Sequence, residues 1–262
     1  MTLVIRSLGF VVFTYVAVAI LLWSMQSRLL YPAPQTPAPL TPGYAEVQLE
    51  TADGLTLRAF YNPAEGDRPT VVYFHGNGGT LSGASVSNAA LVEAGIGALL
   101  VEYRGYGGNP GEPAEAGFYR DGEAAMQWLA AQGIGPEETV IIGNSIGGGV
   151  AVEMARRHDP AALALVAPFT SLPDAAASNL WWLPAGWLVS DQYRNADKIA
   201  ALDLPVLIQH GDADTLIPDA HGKTLVRLAR DGKFQSFARS GHALSFERRS
   251  QEARRDWVLG LF

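Results

Sequence analysis

At 262 residues, with a formal net charge of −7 and no cysteine, the chain is long enough for one domain with a sizeable core and can hold neither disulfides nor thiolate metal sites. No basic cluster offsets the negative charge, which argues against a nucleic-acid partner. Composition shifts near residue 30 and again after Pro42, dividing the chain into an N-terminal segment (1–30), a Pro-rich spacer (31–43) and a globular body (44–262).

Between Arg6 and Arg28 lie 21 uncharged residues dominated by Val, Ile, Leu, Phe and Ala. As a helix rising about 1.5 Å per residue they reach roughly 30 Å, the thickness of a bilayer's hydrocarbon. Trp23 and Tyr31 would sit near one interface. A cleaved secretory signal and a buried core helix are the competing readings. The run is longer than a signal's apolar core, and no clean small-x-small cleavage site follows it. The expectation is an uncleaved, single-pass membrane anchor. Arg6 and the amino terminus face only Arg28, a slight bias that places the body on the non-cytoplasmic side. Pro32, Pro34, Pro37, Pro39 and Pro42 make the next stretch an extended, semi-rigid spacer that holds the body close to the membrane.

The body opens with alternating patterns over residues 45–51 and 55–61, joined through Asp53-Gly54, a hairpin signal. Residues 70–74 form a continuous apolar run, as in a strand covered on both faces, and lead into His75-Gly76-Asn77-Gly78-Gly79. A helix over about 85–94, a buried strand over 98–103, a glycine-rich loop at 104–111 and a crossover helix over 113–131 follow. Residues 139–144 form another apolar strand, and residues 150–155 have the composition of a helix. A strand at 163–169 precedes residues 171–197, which break the rhythm with Trp181, Trp182 and Trp187 among prolines. This segment reads either as an apolar packing insert or as a small cap whose indoles line an acyl or aromatic pocket. A strand at 205–209, a helix at 220–230, a strand at 233–238 and an amphipathic helix at 247–262 complete the chain. Alternating strands and helices with apolar strands imply a mainly parallel sheet covered on both faces.

Gly143-Asn144-Ser145-Ile146-Gly147 falls between the strand ending at 144 and the helix that follows. The bare Gly-x-Ser-x-Gly pattern is weak; its strand–turn–helix setting is what a strained turn presenting a serine hydroxyl requires. A phosphate-binding loop is disfavoured because no Lys-Ser or Lys-Thr follows the glycines. Serine needs a base, because a free hydroxyl is a poor nucleophile at neutral pH. Of the five histidines, His242 alone falls in a loop after the last strand, where it could reach the sheet's carboxyl edge. Asp212 and Asp214, in the loop after the 205–209 strand, are the candidate acids that would hold the imidazole tautomer. The backbone N–H groups of Asn77 and Ile146 are the candidate oxyanion donors. A non-catalytic reading of each is also available: a turn-forming Asp, a solvated loop His, a flexible Gly turn.

The stretches VVYFHGNGG (71–79), EYRGYGGNPG (102–111), GNSIGG (143–148), HGDADTLIP (210–218) and SGH (240–242) fall in one order. In these the chain resembles an α/β-hydrolase, and more narrowly the membrane-anchored, serine-aminopeptidase-like branch of that superfamily. The resemblance covers about residues 45–262. It implies the α/β-hydrolase fold, and it implies Asp214 as the acid, the last residue of a His-Gly-x-x-Asp stretch. Glu102 and Asn109 stand where Asp and Ser are common in the tyrosine-rich loop, and Asn144 precedes the nucleophile where a larger residue is frequent. That loop, with Tyr106, would border the substrate pocket together with Trp181, Trp182 and Trp187.

The sequence reading is therefore a serine hydrolase with Ser145, Asp214 and His242 as catalytic residues, working through an acyl-enzyme without metal or organic cofactor. Esters with lipid-like acyl chains are the first substrate class, and thioesters and amides are open to the same chemistry. A non-catalytic, membrane-tethered binding module is the reading from a different class.

Overall fold

The computed structural model describes residues 2–262. Helix α1 (Thr2–Leu30) carries the apolar N-terminal segment; its stretch Val4–Leu30 is long and apolar enough to cross a membrane. Phe10, Phe13 and Ile20 project outward and are exposed. Among the described residues of the helix, only Ala19, Leu22, Gln26 and Leu30 are partly covered, at spacings that make one stripe along it.

The spacer is extended, as its prolines dictate, but it does not hang free. The Pro34 carbonyl accepts from Gly107 N at 2.7 Å, Gln35 Nε2 donates to Gly105 O at 2.8 Å, and Arg58 donates to Ala38 O at 3.2 Å. Tyr31 is buried, and its hydroxyl meets Asp191 and Tyr193. The segment is thus stitched to the body along its length.

In the body, β1 (Ala45–Glu50) and β2 (Thr56–Asn62) form the hairpin expected around Asp53-Gly54. Then come β3 (Thr70–Phe74), α2 (Leu81–Ser87), α3 (Ala89–Val92), β4 (Gly97–Val101), α4 (Glu115–Ala131), β5 (Thr139–Asn144) and α5 (Gly147–His158). The remainder is β6 (Ala162–Val166), α6 (Leu172–Asn179), α7 (Ala185–Leu188), α8 (Asn195–Ile199), β7 (Pro205–Gly211), α9 (Ala220–Leu228), β8 (Asp231–Phe237) and α10 (Arg248–Leu259).

The eight strands form one sheet in the order β1-β2-β4-β3-β5-β6-β7-β8. β2 pairs antiparallel with β1 and β4, and every other pairing is parallel. Strands β3, β4, β5 and β6 are buried on both faces, which is why each reads as an unbroken apolar run. Alternate residues feed two cores: Val72, Phe74 and Ile141 face one layer, and Val71, Tyr73 and Ile142 the other. The reversal of strand order on either side of β3 and β5 opens a crevice at their carboxyl ends, where α/β sheets place ligands.

Two expected elements differ. The helix over 85–94 is two short helices broken at Asn88, whose side-chain amide donates to the Ala84 carbonyl at 2.8 Å and competes with the backbone ladder. The terminal helix packs Val258, Trp257 and Leu259 against the core as an amphipathic helix would, but its preceding turns also bury polar side chains. Ser250, Gln251 and the fully buried Arg254 face the body, with Arg254 donating to Gln209 Oε1 at 3.0 Å and to Ser87 O at 2.7 Å.

Candidate active site

Ser145 stands between β5 and α5 with φ at +53°, a region costly for any residue bearing a Cβ. The turn survives because its surroundings leave no alternative. A Cβ at Gly147 would collide with the Phe74 carbonyl oxygen, and one at Gly143 would lie 2.6 Å from the Ala151 Cβ. These glycines are therefore needed for the close approach of α5 to β3 and β5. The turn aims the Ser145 hydroxyl over the sheet's carboxyl edge, where it is 2.9 Å from His242 Nε2.

His242 leaves the loop after β8 in a single 3₁₀ turn, and its Nδ1 is 2.8 Å from Asp214 Oδ2. With Nδ1–H donated to the carboxylate, Nε2 presents a lone pair to the serine hydroxyl. The other Asp214 oxygen accepts from Leu216 N and Ile217 N, both at 2.9 Å. Burial alone would raise the Asp214 carboxyl, but His210, His242 and the Ile217 N–H outweigh it and hold it well below the usual carboxylate range. His210 acts here at 3.5 Å and gives its closer contact, 2.9 Å, to the Ile217 carbonyl. Of the two aspartates left open by the spacing, Asp214 meets the imidazole. Asp212 instead accepts from Arg239 N and closes a turn.

The loop after β3 lies directly against the elbow: a Cβ on Gly76 would be 3.4 Å from the Ser145 Cβ. Asn77 and Ile146 both border the cleft at Ser145. Among the described residues, neither of their amides donates to a protein acceptor, which leaves both N–H groups free for a ligand.

Behind this loop lies a constellation that sequence reasoning did not assemble. Glu102, fully buried at the end of β4, accepts from His75 Nε2 at 2.8 Å and from Leu81 N at 3.3 Å. Tyr103 donates its hydroxyl to His75 O, and Asn109 donates to the Glu102 and Tyr103 carbonyls. The Glu102 and Asn109 departures therefore serve to brace the His75–Gly79 loop rather than to shape a pocket. Only the pairing of a buried-strand Glu with a loop His could have signalled this.

The expected pocket residues are not those that line the cleft. Tyr106 is fully buried, its ring packed against His75, Tyr103 and Phe118 behind the loop. Trp181 and Trp187 point outward at 83% and 93% exposure, and Trp182 contacts Tyr15 of α1. The cleft, about 270 Å³, is lined instead by Phe169, Leu172, Ala175, Ala176, Leu180, Leu216 and Ile217, and by Leu29 and Leu30 of α1. Segment 171–197 does sit over the serine, but aliphatic side chains of α6 form its inner face. His221, on α9, fixes that segment from behind, with Nδ1 2.9 Å from Thr170 Oγ1 and Nε2 3.1 Å from Ser178 Oγ. Its burial favours the neutral ring.

A family profile described as the alpha/beta hydrolase fold matches residues 69–197, from the start of β3 through the cap. The protein Rv2307c of Mycobacterium tuberculosis is 38% identical over 223 residues, which cover 82% of this chain and 79% of that one. The chain belongs to the α/β-hydrolase family. Another relative in the family, the lysophosphatidylserine lipase ABHD12 of Danio rerio, is 33% identical over 70% of this chain and 52% of its own length. The crystal structure of an α/β-hydrolase from Vibrio vulnificus superposes with a TM-score of 0.77 at 22% identity, covering 91% of this chain and 92% of that one, a likeness of fold.

Proposed function

We propose that this α/β-hydrolase is a serine hydrolase that cleaves carboxylic esters of lipid-like acyl groups through an acyl-enzyme. The observation that carries the reading is the unbroken relay from Ser145 Oγ to His242 Nε2 at 2.9 Å and from His242 Nδ1 to Asp214 Oδ2 at 2.8 Å. His242 takes the hydroxyl proton as Ser145 Oγ attacks the carbonyl carbon, and the Asn77 and Ile146 amides hold the oxyanion. The carbon–oxygen bond to the leaving alcohol then breaks, and the imidazolium donates its proton to that oxygen. Water attacks the acyl-enzyme with His242 again as base, which releases the acid and regenerates Ser145.

Aliphatic lining of the cleft supports acyl substrates over peptides, because no cluster of charge is placed to recognise a free amine. The lipase name of ABHD12 points the same way. Residues 1–30 act as the membrane anchor of the 44–262 domain in this reading, with the small bias of flanking charge placing the domain outside the cytoplasm. A fluorophosphonate probe tests the chemistry: the native protein labels and Ser145→Ala does not. Equal labelling of the two would remove Ser145 from the mechanism, and no labelling of either would favour a binding module that keeps the fold.

A further inference from the structure

Helix α1 does more than anchor. Along its partly covered stripe Leu22, Gln26 and Leu30 border the cap, and contacts with the cap continue along the inner half of the helix as far as Tyr15. Asn77 Nδ2 donates to Leu30 O at 3.2 Å, Ser190 N donates to Gln26 Oε1 at 2.9 Å, and Tyr15 donates to Trp182 O at 3.0 Å. From Leu30 to Tyr15 the helix rises about 22 Å. The contact at Tyr15 therefore falls beside the middle of the uncharged stretch 7–27, roughly halfway across a bilayer that the helix spans.

The cap is built for that depth. Residues 175–190 contain no charged side chain, and Leu180, Trp181, Trp182 and Trp187 are exposed on its surface. An apolar patch this concentrated is out of place in water and in place against hydrocarbon. Between cap and helix runs an apolar slot of about 120 Å³, bordered by Leu22, Trp23 and Gln26 on one side and Leu183, Leu188 and Val189 on the other. Its inner end shares Leu29, Leu30, Ala176 and Leu180 with the cleft that holds Ser145. The serine thus lies at the water-facing end of α1, where the ester bonds of a bilayer lipid reside, and the slot runs from it toward the membrane interior.

We propose that α1 and the cap together form a membrane-immersed acyl-binding slot, into which one chain of a bilayer-resident ester slides sideways while its carbonyl reaches Ser145. This rests on the hydrolase reading and adds to it the substrate class, a lipid ester taken from the bilayer, and the route of entry. The slot explains why the apolar stripe of α1 faces the cap while its other faces are left for lipid.

The test uses the full-length protein in phospholipid nanodiscs and a series of p-nitrophenyl esters from acetate to palmitate. Ala176→Trp places an indole where slot and cleft meet and should lower the ratio of palmitate to acetate turnover by about tenfold or more. Leu22→Trp, at the far end on the helix surface, should shift the preference to shorter chains. A chain-length profile that neither variant alters would overturn the slot while leaving the hydrolase reading intact. Failure of the native protein to turn over any ester would remove both. For the depth of the cap, Trp187→Phe should reduce tryptophan quenching by acyl-brominated lipids, and unchanged quenching would place the cap outside the hydrocarbon.

Discussion

The Oγ of Ser145 lies 2.9 Å from Nε2 of His242, across 97 residues of chain and from opposite sides of β6, β7 and β8. That distance exists only because the β5 turn forces Ser145 to a φ of +53° while the loop after β8 folds back over the sheet edge. Several measurable consequences stem from it.

Asp214→Asn would keep the fold but leave His242 without an anionic partner and favour the wrong tautomer. Turnover of a short p-nitrophenyl ester should fall by about 10³–10⁴-fold with little change in KM. A loss of less than tenfold would show that the imidazole is oriented by another group.

Ester turnover that depends on a general base should decline on acidification. Asp214 stays ionised in mildly acidic solution, since its carboxyl is held below the ordinary value, so it should add no inflection of its own there. A profile that stays flat on acidification would argue against general-base activation of Ser145.

The same carboxyl links stability to pH. Its folded-state pKa is depressed, so its contribution is present above the unfolded carboxyl value near about 4 and is lost as pH falls through the folded value. Melting temperatures measured from neutral pH downward should therefore drop more steeply for the native protein than for Asp214→Asn. Parallel curves would contradict the linkage.

Gly147→Ala should be among the most damaging single-methyl changes, because its Cβ meets the Phe74 carbonyl, a backbone atom that cannot swing aside. We expect a loss of about 3 kcal/mol or more in urea unfolding, or no folded protein at all. Glu102→Ala should cost about 2–4 kcal/mol by leaving the His75 ring and the Leu81 amide without their acceptor. It should also lower turnover by loosening the Asn77 loop, and unchanged turnover would show that this loop holds its shape without the buried pair.

Much of this arrangement was legible in the sequence because it rests on short-range signals. Strand β3 spans the expected residues 70–74, and the elbow strand ends at Asn144 as read, since strands buried on both faces print as apolar runs bounded by glycine. His242 and Asp214 were legible through chain order and through resemblance. What stayed hidden depends on side chains meeting across the fold. The break at Asn88 comes from one amide turned onto its own helix, and the first turns of α10 bury polar side chains because Arg254 reaches Gln209 and Ser87. Hydrophobic periodicity cannot report either. The three cap indoles were expected to pack as an insert or to line a pocket, but composition does not say which way they point, and they turn from the cleft while Leu172, Ala175 and Ala176 line it.

The clamped junction at Tyr31 and the contact of Tyr15 with Trp182 give α1 a rotational phase relative to the body. A plain tether has none. One residue inserted between Tyr15 and Gln26 would turn the outer half of the helix by about 100° and advance it about 1.5 Å, carrying Tyr15 off the cap without changing hydrophobicity. The length of this segment is thereby under a constraint of helical register, which apolar composition alone does not impose.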